Sequence, residues 1–209
     1  MIAWTERRPA MLLPAAALIG CMILSGCVRS DPARYYVLSE MPRSTVAAPP
    51  AEPGQGAAVG VGPVSLPSYL DRIQIVTRRG AQLDVAEFDR WGEPLSEGVP
   101  RTIAAYLTAL LQTERVVVFP WPGGRTIDHQ VVVDVTRFDG MVGGDVRLEA
   151  RWRVLGRDRK ELVLRSSAVH EATGESGYPA LVAAMNRSLG TLSREIADSV
   201  KMLRAQPAR

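Results

Sequence analysis

Apolar and polar residues alternate without a break over residues 145–155. Val146, Leu148, Ala150, Trp152 and Val154 fall on one side, and Arg147, Glu149, Arg151 and Arg153 on the other. A period of two is the mark of a strand with one face packed and one face wet. Residues 130–138 and 161–172 flank it as further strands and make a meander. Gly140-Met141-Val142-Gly143-Gly144 supplies the glycines that a hairpin needs for positive φ, and Gly156-Arg157-Asp158-Arg159-Lys160 makes the second turn. Shorter β-branched or aromatic runs predict strands over 34–39, 57–64, 74–78, 82–86 and 115–120. The period changes to three and four over 96–112, where Val99, Ile103, Tyr106, Leu107 and Leu110 share a helical face behind Pro94 and Pro100. A second helix is predicted over 179–203, with Leu181, Met185, Leu189, Leu192, Ile196 and Val200 as its apolar stripe. The expected fold is α+β: a largely antiparallel β-sheet covered on one face by two amphipathic helices, a two-layer sandwich.

The first residues follow another logic. Arg7 and Arg8 precede an uncharged apolar run from Ala10 to Leu24, about 15 residues and so shorter than the roughly 20 that span a bilayer. The run reads as a removable export signal. It closes with Leu24-Ser25-Gly26-Cys27, which resembles the lipobox of bacterial lipoproteins. That resemblance implies a diacylglycerol thioether on Cys27 and an N-acyl lipid on the new N-terminus. An ordinary secretory cleavage site and an uncleaved N-terminal anchor are the competing readings. Leu18-Ile19-Gly20-Cys21 satisfies the same pattern loosely, but cleavage there would leave Met22-Ile23-Leu24 on the mature end. Two or more acyl chains hold a protein on a membrane durably. Val28, where an Asp marks inner-membrane retention in enterobacteria, leans the assignment towards the outer membrane.

Four segments follow: a signal over 1–26, a lipid tether over 27–33, one globular domain over 34–204 and a flexible tail over 205–209. A Pro/Ala/Gly linker occupies residues 47–56 inside the domain. Losing Glu6, Arg7 and Arg8 with the signal lowers the net charge from +3 to +2, too little to argue for nucleic acid. Cys21 leaves with the signal and Cys27 takes lipid, so no thiol remains for a disulfide.

Chemistry is scarce. His129 and His170 have no ligands at metal-binding spacing, and no metal or cofactor is expected besides the covalent lipid. Asp134 and Asp139 lie an odd number of residues apart on one strand, which predicts opposite faces. Gly140, Gly143 and Gly144 lie between two strands, whereas a phosphate-binding loop leads from strand into helix. No G-x-S-x-G motif is present, and no catalytic residues are assigned. Tyr69, Phe88 and Trp91 cluster in a Pro-rich region, as anchors for a partner or as plugs at the core edge.

Gly62-Pro63-Val64-Ser65-Leu66-Pro67-Ser68-Tyr69-Leu70-Asp71-Arg72, then Gln74-Ile75-Val76, then Phe88-Asp89-Arg90-Trp91-Gly92-Glu93-Pro94-Leu95 resembles the PqiC/YmbA family of ABC-type transport auxiliary lipoproteins. Tyr35-Tyr36-Val37-Leu38 and Phe138-Asp139-Gly140 fit the same pattern, and Ile73 departs from it where the family carries Pro. The resemblance implies a non-enzymatic lipoprotein of an MCE-type intermembrane lipid transport system, anchored in the outer membrane and facing the periplasm. Its implied partner is the periplasm-spanning MCE-domain protein, with Tyr69 and Trp91 as candidate contacts. A homo-oligomer stays open. A second function class also stays open, a structural or assembly lipoprotein of the outer membrane, while a periplasmic hydrolase is disfavoured because no nucleophile–base set can be assembled from the sequence.

Overall fold

The computed structural model describes residues 31–38, 56–121, 123 and 125–205. The signal, Cys27, the linker over 47–55 and the tail beyond Ala205 lie outside the described residues. In the unit that starts at Ala33 the elements are β1 (Arg34–Tyr36), β2 (Val59–Ser65), a 3-10 helix (Ser68–Leu70), β3 (Gln74–Arg79), β4 (Gln82–Trp91), α1 (Leu95–Leu111), β5 (Val116–Val118), β6 (His129–Gly140), β7 (Asp145–Leu155), β8 (Glu161–Ala172) and α2 (Tyr178–Ala205).

The alternation in β7 does what a period of two requires. Val146, Leu148, Ala150, Trp152 and Val154 are buried while Arg147, Arg151 and Arg153 are exposed. β7 pairs antiparallel with β6 and with β8, which is the predicted meander. The sheets are mixed rather than purely antiparallel. Two mixed sheets form, one of three strands in the order β1-β4-β3 and one of five in the order β5-β2-β6-β7-β8. β1 runs parallel to β4, and β2 runs parallel to both β5 and β6. β2 meets β6 only after the chain has made β3, β4, α1 and β5, and a crossover of that length allows parallel pairing. Val59, Gly60, Val61 and Gly62 of β2 are all buried, as suits a strand covered on both sides.

Both helices lie against the five-stranded sheet. Val99, Ile103 and Leu107 of α1 and Leu181, Leu189, Leu192, Ile196 and Val200 of α2 are fully buried in one core with Phe138, Leu148 and Trp152. Burial of side chains this size contributes about 1.5–3 kcal/mol each relative to exposure, an upper estimate. Gly190 lets the helices approach: a Cβ there would lie 3.1 Å from the Tyr106 ring. Pro100 lies inside α1 rather than at its start, so the Ser96 carbonyl has no N–H four residues on. Among the described residues no helix is long and apolar enough to cross a membrane.

Candidate functional site

Two buried carboxylates organise the polar interior. Asp89 on β4 is 3% exposed. Arg34 grips it with two parallel bonds, Nε to Oδ1 at 2.8 Å and a terminal nitrogen to Oδ2 at 2.7 Å. The Tyr36 hydroxyl donates to Oδ1 at 2.8 Å. Parallel pairing of β1 with β4 makes this contact possible, because it sets Arg34 opposite Asp89 and Tyr36 opposite Trp91. The Arg34 guanidinium holds the Asp89 carboxyl below the usual aspartate range, against the opposing effect of burial. Burial, and then the bond to Asp89, raises the Tyr36 hydroxyl above its ordinary value.

Asp139 on β6 is fully buried. Its Oδ2 accepts from the Tyr69 hydroxyl at 2.6 Å and from Arg78 Nε at 2.8 Å, and its Oδ1 accepts from Arg137 Nε at 2.9 Å. The Arg78 guanidinium also sits 5.1 Å from the centre of the Tyr69 ring. Three charge-assisted bonds offset the loss of hydration that a buried carboxylate suffers. They join the 3-10 helix, β3 and β6, and so tie the small sheet to the large one.

The parity argument for Asp134 and Asp139 fails here. A bulge between Val135 and Arg137 inserts one residue into β6. Asp134 then stands opposite Arg151 and Asp139 opposite Arg147, on the same face of the sheet. They still form no carboxylate pair, since Asp134 takes its bond from Ser65 and Asp139 its bonds from the clamp.

Trp91 ends β4 with 4% of its surface exposed, so its ring packs the core edge and offers almost nothing to a partner. Tyr69 is half-buried, with its hydroxyl spent on Asp139. His129 opens β6 with Nδ1 buried and unbonded, and burial depresses its pKa. His170 is exposed on β8. Among the described residues no three His, Cys, Asp or Glu side chains are grouped to hold a metal. A hydrogen-bonded chain also links β7, β8 and α2: Trp152 Nε1 donates to Ser167 Oγ at 2.8 Å, and Ser167 donates to the exposed Glu195. Sequence reasoning had singled out Tyr36 and Asp89 only as parts of a family pattern, Tyr69 also as a candidate partner contact, and Asp139 also beside Asp134 on one strand. No local spacing announces the clamps, because Tyr36 and Asp89 lie 53 residues apart and Tyr69 and Asp139 lie 70 apart.

None of the curated proteins matches the chain in sequence. One solved structure, described as an uncharacterized protein, shares 22% identity at a TM-score of 0.66, covering 81% of this chain and 99% of its own. A Xanthomonas campestris protein of the DUF330 family shares 18% identity at a TM-score of 0.63, covering 80% of this chain and 94% of its own. These likenesses establish the fold. The sequence model of the ABC-type transport auxiliary lipoprotein component matches residues 36–197, a span that opens at Tyr36 and takes in both clamped aspartates. The chain belongs to the ABC-type transport auxiliary lipoprotein family, the PqiC/YmbA-like group.

Proposed function

We propose that the protein is a lipid-anchored, non-enzymatic component of an ABC-type intermembrane lipid transport system. Diacylglycerol and N-acyl chains on Cys27 hold it in the outer membrane with its domain in the periplasm, where it docks the distal end of an MCE-domain protein. The observation that carries this reading is the family match over residues 36–197 in a chain whose N-terminus ends an export signal at Leu24-Ser25-Gly26-Cys27. The interior supports a binding role. Its two buried aspartates are spent on holding strands together. Of the two aromatics considered for partner contact, Tyr69 keeps a solvent-facing part and carries that role, while Trp91 supports β4 from beneath.

Affinity purification from detergent-solubilised membranes, read by mass spectrometry, tests the reading. Recovery of an MCE-domain protein and its permease is the expected outcome. Recovery of outer-membrane assembly factors without them would favour an assembly lipoprotein instead. A folded Tyr69→Ala variant is expected to recover less of the MCE protein.

A further inference from the structure

Two hairpin turns lie side by side at one end of the domain. The β3–β4 turn at Gly80 and the β6–β7 turn at Met141 frame a hollow of about 450 Å³, with Arg78, Arg79, Arg137 and Arg147 in its lining beside Asp145 and Met141. Arg78 and Arg137 each commit Nε to Asp139, which fixes their guanidinium planes. Their side chains stay 22% and 26% exposed at the hollow. Arg79 is 76% exposed, with Asp84 at 3.9 Å, and Arg147 makes no ion pair among the described residues. The lining carries four guanidiniums against one carboxylate, Asp145, with Asp139 buried behind them, Asp84 beside Arg79 and Glu149 opposite Arg137 on β7. Beside it the turn exposes Met141 at 45% and Val142 at 36%.

Guanidinium groups with unspent N–H edges suit phosphate. Exposed apolar side chains next to them suit the boundary between headgroups and acyl chains. β1 is parallel to β4 with Arg34 opposite Asp89, so the start of β1 points along β4 towards Gln82 and the Gly80 turn. The chain therefore enters β1 from the end of the domain that carries these turns.

We infer that the paired turns at Gly80 and Met141 are the membrane-facing end of the domain, with Arg79, Arg147 and the free edges of Arg78 and Arg137 on anionic phospholipid headgroups. The bilayer is the one that holds Cys27, so the inference rests on the proposed lipid anchor. The β7–β8 turn then points away from the membrane, on the order of 35 Å off along the eleven residues of β7.

The test uses the lipidated full mature chain in vesicles, labelled with a polarity-sensitive fluorophore at Val142→Cys or, in a second sample, at Asp158→Cys. Cys21 leaves with the signal and Cys27 is blocked by lipid, so the added thiol is the only one to react. Flotation with the vesicles is scored first, then quenching by headgroup spin-labelled lipid. In phosphatidylethanolamine–phosphatidylglycerol vesicles the label at position 142 is expected to be quenched several-fold more than that at 158. The Arg79→Ser/Arg147→Ser double variant, or phosphatidylcholine vesicles, should bring the two close together. Flotation with equal quenching at both positions, or more at 158, would overturn the orientation and leave the anchor standing. So would a position-142 signal that changes only when an acidic partner protein is added. Failure to float would remove the anchor, and this inference with it.

Discussion

At Asp139 a carboxylate has left water and recovered its hydration as three directed bonds, from Tyr69, Arg78 and Arg137. A hydrogen bond to a charged group contributes about 1.5–3 kcal/mol. Tyr69→Phe keeps the ring and deletes one such donor, so chemical denaturation should show a loss of about that size. Ser65→Ala, which removes a bond to the exposed Asp134, should cost a small fraction of it. Asp139→Asn keeps the shape while removing the charge that both arginines face, and should destabilise more than Tyr69→Phe. His129 supplies the pH dependence. Burial lowers its pKa below the ordinary 6.5, so the unfolded chain takes up a proton first as pH falls. Its contribution is fully present above 6.5 and is lost as pH drops through that value towards the lowered one. Unfolding free energy measured across this window should fall with acidity, and His129→Gln should flatten the fall.

Among the elements, β7 was readable residue by residue, because one face is solvent and the other is core, and composition records that contrast. β4 was read only as far as Ala86. Beyond it Asp89 occupies a buried position, and the clamp that allows this lies on strands remote in sequence. The clamps themselves stayed hidden for the same reason. Parity failed on β6 because a bulge leaves no apolar signature of its own. The parallel neighbours of β2 were invisible since a buried run looks alike whichever direction its partners run. Closeness of backbone leaves a sharper test at Gly140. A Cβ there would lie 2.6 Å from the Asp145 carbonyl oxygen and 2.9 Å from the Val146 Cα, both backbone atoms. Gly140→Ala should lower stability by about 1–3 kcal/mol, the range for overpacked sites, with a matching fall in the denaturation midpoint. At Gly80, where nothing lies within 4 Å, the strain of its positive φ is the one penalty Ala should meet.

For the whole molecule, family membership, a covered sheet and clamped strands are what the structure and sequence show, and the proposed function gives the domain the work of position and contact. Everything proposed for its action starts from the membrane. A Cys27→Ala variant, which cannot take the lipid assigned to Cys27, should be absent from the membrane fraction. The most direct measurement is the intact mass of the N-terminal peptide of the mature protein purified from membranes. The account predicts a chain that begins at Cys27 and carries diacylglyceryl and N-acyl groups. A mature chain that begins elsewhere, or an unmodified Cys27, would contradict it.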